Sequence, residues 1–111
     1  MTFLILEKEF DPPLSPEQHD EEARQAEPCL EARGVRWIRS YLSTDRRRMI
    51  CEFEAADAEA VRDAFRSAGL PFVRVWAAEA YFPGGGAHGA WREREAARTE
   101  APPAKAKMRG C

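Results

Sequence analysis

The chain of 111 residues contains no asparagine, only two histidines and only three cysteines. Its first apolar run, Phe3 to Leu6, ends at Glu7, Lys8 and Glu9. The short apolar run and the few cysteines each exclude a class of protein. Four consecutive apolar residues fall far short of a signal-peptide core, or of the roughly 20 that cross a bilayer. The expectation is a cytosolic (cytoplasmic) protein with no membrane partner. Cys29, Cys51 and Cys111 have neither CxxC spacing nor an even count, which points to reduced thiols and away from a disulfide framework or structural zinc. The missing asparagine, beside abundant Ala, Arg and Glu, is a coding bias without functional meaning. Formal net charge is −2, yet residues 1–82 carry 11 basic and 16 acidic side chains while 83–111 carry 6 and 3. An acidic body argues against nucleic acid as a partner.

What is present suffices for one small domain. At 44% hydrophobic and 32% charged, a chain of this length has a thin core, and oligomerisation is an expected supplement. The most informative stretch runs from Trp37 to Ala55. Its two runs, VRWIRSYL and RMICEFE, are rich in β-branched and aromatic residues, and Ser43, Thr44, Asp45 and Arg46 between them form a polar turn. Residues 35–54 therefore form a hairpin. Upstream, residues 2–10 form a strand stopped by Asp11-Pro12-Pro13. Ser15-Pro16-Glu17-Gln18 then starts a helix that ends at Gly34, with Ala23, Ala26, Cys29 and Leu30 on its apolar side. Downstream, Asp57 caps a second helix in which Val61, Ala64, Phe65 and Ala68 follow the helical period, and Gly69 ends it. Residues 72–82 supply a fourth strand.

The resulting order β-α-β-β-α-β predicts an α+β, ferredoxin-like fold, with a four-stranded antiparallel sheet and two helices on one face. The domain occupies residues 1–82. Residues 83–111 form a flexible Gly/Pro-rich basic tail in which 90–98 make a short charged helix, and Cys111 belongs to a disordered terminus. Gly84, Gly86 and Gly89 match GxGxxG, but too little chain follows for a nucleotide-binding unit.

Side-chain alternation assigns the two faces of the sheet. Pairing Thr44 with Arg47 puts Leu42, Ser40 and Ile38 opposite Met49, Cys51 and Phe53 on the helix side. The uncovered face then holds Trp37 opposite Glu54, Arg39 opposite Glu52 and Tyr41 opposite Ile50, joined by Glu7 and Trp76. Two tryptophans and a tyrosine are too much apolar area to leave in water, so a second subunit or a small-molecule ligand is expected to cover them.

A spaced set of motifs covers residues 2–80: Glu7 in EKEF, Gly34-Val35-Arg36-Trp37 leading to Ser40-Tyr41, Cys51 before Glu54-Ala55, and Ala68-Gly69-Leu70-Pro71 before Val75. In these the chain resembles a small bacterial family of ferredoxin-like domains of unknown function that includes an actinobacterial nickel-binding protein. The resemblance implies a homodimer of the dimeric α/β barrel type and nickel, or another divalent metal ion, held through histidines. This chain departs from that pattern, because residues 58–68 contain no histidine and only His19 and His88 exist.

Several constellations carry chemistry. His19 and Glu22, with Asp20 and Glu21 between them, are candidate metal ligands on one helical turn, against the plainer reading of a solvated acidic first turn. Cys51 faces inward and is expected to be inert. On the open face, Glu7, Trp37, Arg39, Tyr41, Glu52, Glu54 and Trp76 are candidate ligand-binding residues. The same carboxylates and Tyr41 are alternatively the acid/base groups of a small enzyme, or simply interface ion pairs. No residue is assigned a catalytic role. Arg46-Arg47-Arg48 is either a phosphate holder or a solvated hairpin end. The leading expectation is a non-enzymatic homodimeric module that binds a small ligand or metal ion.

Overall fold

The structure, a computed structural model, describes residues 1–85 and Cys111. Its elements are β1 (Thr2–Glu9), α1 (Pro16–Ala32), β2 (Arg36–Leu42), β3 (Arg48–Ala55), α2 (Ala58–Ala68) and β4 (Arg74–Ala77). The order is the one the sequence predicts. One antiparallel sheet, β2-β3-β1-β4, carries both helices on a single face, which makes the fold α+β and ferredoxin-like.

Local signals explain where each helix begins and ends. The Ser15 hydroxyl accepts the backbone N–H of Gln18, with Pro16 at the first helical position, and Asp57 accepts that of Ala60. These side chains satisfy donors that have no partner inside the helix. Gly34 and Gly69 follow the helices at φ +67° and +73°, the left-handed conformation that an L side chain resists.

Alternation along β1 sends Leu4, Leu6 and Lys8 toward the helices. The row Ser40, Cys51, Leu6, Val75 crosses all four strands on that side. Phe53, 1% exposed, packs its ring edge-on to Phe65 of α2 at 5.8 Å. Burial of an aromatic of this size contributes about 1.5–3 kcal/mol.

Four expectations need correction. First, the β2–β3 register agrees with the prediction from Leu42–Met49 to Arg39–Glu52, but a bulge between Trp37 and Arg39 takes up Ile38. Trp37 therefore lies opposite Phe53 and Arg36 opposite Glu54. One extra residue shifts all earlier side chains to the opposite face, so Trp37 belongs to the helix side. Second, β4 spans Arg74–Ala77 and not 72–82. The backbone N–H of Val73 and of Ala78 still bonds to β1, at Glu7 and Phe3.

Third, Thr44 and Arg47 are not a strand pair. Ladder bonding ends where Ser43 N–H donates to Arg48. The Ser43 hydroxyl then accepts the N–H groups of Arg47 and Arg48 and donates to Asp45. Arg46, at φ +64°, exchanges hydrogen bonds with Leu14 through both its backbone and its guanidinium, and Arg47 pairs with Asp11. These arginines thus fasten the hairpin tip to the β1–α1 connection.

Fourth, Cys29 and Cys111 form a disulfide. Spacing along the chain carries no information about which thiols the fold brings together. Cys51 alone of the three is free. The expected 90–98 helix, most of the predicted tail, His88 and the end of the GxGxxG match lie outside the described residues.

Candidate functional site

The open face of the sheet is a grid of three rows. Tyr41, Ile50, Glu7 and Arg74 form the first row, Arg39, Glu52, Ile5 and Trp76 the second, and Arg36, Glu54 and Phe3 the third. Each row contains one arginine and one glutamate, and each of these pairs meets: Arg74 with Glu7 at 2.9 Å, Arg39 with Glu52 at 2.8 Å, Arg36 with Glu54 at 3.7 Å. Trp76 adds a second donor to Glu7, its indole N–H reaching Oε2 at 2.8 Å.

Of the seven residues proposed for this face, six share it: Glu7, Arg39, Tyr41, Glu52, Glu54 and Trp76. Trp37, moved by the bulge, donates its indole N–H to Ser40 at 2.9 Å on the helix side. Between the charged pairs lies apolar surface. Phe3 and Ile5 are buried, whereas Tyr41, Ile50 and Trp76 are 53%, 43% and 44% exposed. At the hairpin end, Glu7, Glu9, Tyr41, Arg48 and Ile50 border an open depression of about 310 Å³. That volume lies within the range of small-molecule sites.

A second cavity, of about 40 Å³, lies between α1 and the sheet. His19, Glu22, Trp37, Ser40, Cys51 and Lys8 all reach it. It has room for a few waters and not for a metabolite. Lys8, 6% exposed, is the residue that sequence reasoning missed. Its ammonium pairs with Glu22 at 2.6 Å and lies over the Phe10 and Phe65 rings, 5.6 and 5.4 Å from their centroids. The signal was available in the alternation of Leu4, Leu6 and Lys8. Burial pushes the Cys51 thiol pKa up, against a smaller downward effect of its hydrogen bond with Ser40, so the thiol stays protonated and unreactive at neutral pH.

His19 and Glu22 do come together at this cavity, but Glu22 is already bonded to Lys8 and to Gln18, and His19 Nδ1 faces Asp20 at 3.4 Å. Among the described residues, no three His, Cys, Asp or Glu side chains converge as a metal site would require. No described helix is long and apolar enough to cross a membrane.

Similarity to known proteins decides the family. A family model described as nickel responsive protein SCO4226-like matches residues 3–77. The chain belongs to this SCO4226-like family. Among solved structures, the crystal structure of SCO4226 from Streptomyces coelicolor A3(2) has a TM-score of 0.65 with this chain at 12% identity. The match covers 72% of this chain and 99% of that one, and at such identity the likeness establishes the SCO4226 fold alone. No curated protein matches the chain.

The family's description names nickel, and the described donors can be tested against that ion. Nickel favours several convergent imidazoles or other nitrogen donors. His19 supplies one, Cys29 is oxidised, Cys51 is buried and protonated, and each open-face glutamate has an arginine partner. The described residues of this chain do not fit a nickel centre.

Proposed function

We propose that this protein is a small nickel-related module of the SCO4226-like family that works as a homodimer, two open sheet faces packing together and enclosing a ligand site at the Tyr41–Glu7–Arg48 depression. One observation carries this reading: the face combines half-exposed Tyr41, Ile50 and Trp76 with three glutamates whose arginine partners lie in the same subunit. Charges paired internally need no external counter-ion. Apolar area then remains as the main driving force, and a second copy of the same face satisfies it. The paired carboxylates also favour a binding role over the acid/base enzyme, because a general base needs an accessible lone pair close to its proton donor.

Light scattering on the purified protein tests the assembly. The expected mass is about twice 12.6 kDa, and Ile50→Glu should halve it by placing a charge in the interface without touching the core. A wild-type monomer at micromolar concentration contradicts the reading. Calorimetric titration of metal-free protein with nickel chloride then tests the ligand. Binding that Ile50→Glu abolishes places the ion between subunits, whereas binding retained by the monomeric variant places it elsewhere.

A further inference from the structure

Cys111 lies well outside residues 3–77, the extent of the family domain, yet its sulfur is bonded to Cys29 on α1, 82 positions earlier. Arg33, directly after α1, holds the same place. One guanidinium nitrogen donates to the backbone oxygen of Cys111 at 3.1 Å, and another donates to the Ser67 hydroxyl of α2 at 2.7 Å. Cys111 is thus fixed at the seam between the two helices by one covalent bond and one charged hydrogen bond. Cys111 packs against the edge of the core while remaining partly exposed, whereas Cys29 is 1% exposed.

We propose that the Cys29–Cys111 bond is a reversible thiol–disulfide fastener, operated by a low-molecular-weight thiol/disulfide couple, that holds Cys111 on the α1/α2 seam when oxidised and frees it when reduced. Three features point to a reversible device and not a permanent staple. The domain core is complete without it, since Leu4, Leu6, Phe53, Val61 and Phe65 are buried against one another and against α1. One sulfur belongs to a partly exposed residue, and exposure favours exchange. The other thiol, once released, stays among Ala26 and Leu30, where apolar surroundings keep it protonated and protect it from further oxidation.

The chemistry balances without any group from the protein beyond the two sulfurs. A thiolate attacks the Cys111 sulfur, forming a mixed disulfide there and expelling the Cys29 sulfur, which takes a proton from water. A second thiolate attacks the mixed disulfide, leaves as the symmetrical low-molecular-weight disulfide, and frees Cys111 as a thiol. Two external thiols are oxidised as one protein disulfide is reduced. Closure is the reverse, with the external disulfide as oxidant.

The full-length native protein, equilibrated with oxidised or with millimolar reduced glutathione and then acid-quenched and alkylated, tests the proposal. After oxidised glutathione, trypsin should yield Gln25–Arg33 linked to Gly110–Cys111, with Cys51 alone alkylated on unfolding. Under reduced glutathione the linked peptide should disappear without denaturant, and amide exchange at Arg33 and Gly34 should rise several-fold while exchange in β1 and β3 stays unchanged. Cys111→Ser should show the reduced pattern under both conditions, and Cys51→Ser should behave as wild type. A bond that resists reduced glutathione until the protein is denatured overturns reversibility. Failure of oxidised glutathione to produce the linked peptide, or its production of a Cys51 linkage, overturns the pairing.

Discussion

The indole N–H of Trp76 donates to Oε2 of Glu7 at 2.8 Å, one step diagonally across the β1–β4 ladder, while Arg74 holds Oε1 of the same carboxylate. β4 is only four residues long, so this shared acceptor reinforces a short edge strand. Glu7→Ala removes both bonds and leaves two donors that water can reach. The expected cost is about 0.5–1.5 kcal/mol by urea unfolding, in line with a partly exposed hydrogen-bonded pair. The Trp76 indole proton should also exchange faster in NMR spectra. Unchanged stability together with unchanged exchange would rule out the shared-acceptor role.

The bulge at Ile38 gives Trp37 and Trp76 different environments, and fluorescence can separate them. In proteins retaining one tryptophan, the others changed to Phe, acrylamide quenching of Trp76 should increase on dilution as the proposed dimer dissociates. Quenching of Trp37 should not depend on concentration, because its ring lies against the helix side beside Ser40. A concentration-dependent Trp37 signal would return that residue to the interface.

Lys8 and Glu22 form the most buried ion pair among the described residues, at 6% and 18% side-chain exposure. Lys8→Met leaves a mostly buried carboxylate with Gln18 as its remaining partner. The expected loss is about 2–3 kcal/mol, somewhat below the roughly 3–5 kcal/mol for breaking a fully buried pair. The double variant Lys8→Met, Glu22→Leu should recover most of it, since apolar replacements remove the desolvation penalty of both ions. Chemical denaturation of the three proteins provides the comparison.

Loss of the Cys29–Cys111 bond should lower stability through the unfolded state. For a loop of 82 positions the chain-entropy model sets an upper value near about 4.5 kcal/mol, with about 2–4 kcal/mol typical. Cys111→Ser in oxidised buffer and wild type in reduced buffer should therefore melt at similar, lowered temperatures. Truncation after Phe82 should melt close to both, because the core of the sheet and helices remains.

Acid titration probes the hairpin turn. The Ser43 hydroxyl, then the Arg47 backbone N–H, hold the Asp45 carboxyl below the usual carboxylate range. A carboxyl that titrates lower when folded than when unfolded stabilises the fold fully above its unfolded pKa, and that stabilisation is lost as pH falls through its folded pKa. Asp45→Asn should thus flatten the acid side of the stability profile, and a carboxyl-carbon NMR titration of Asp45 should show a midpoint below that of an unstructured aspartate. A midpoint at or above the peptide value would contradict the turn geometry.

Element order and type followed from the sequence, because caps and periods are local. Ser15 and Asp57 bind backbone groups three residues away, Gly34 and Gly69 stop helices by their own conformational freedom, and the apolar stripe of Val61, Ala64, Phe65 and Ala68 needs no distant partner to be recognised. Strand alternation likewise carried six of the seven open-face residues to their common surface. Only the tertiary structure decided the rest. The bulge that turns Trp37 inward arises from pairing between β2 and β3, and a single unpaired residue leaves no mark in composition. Alternation already turned Lys8 inward, but its partner came from the fold, because α1 brings Glu22 over the end of β1. Cys29 and Cys111 met because the fold places Cys111 against the helix seam, and separation along the chain cannot report proximity in space.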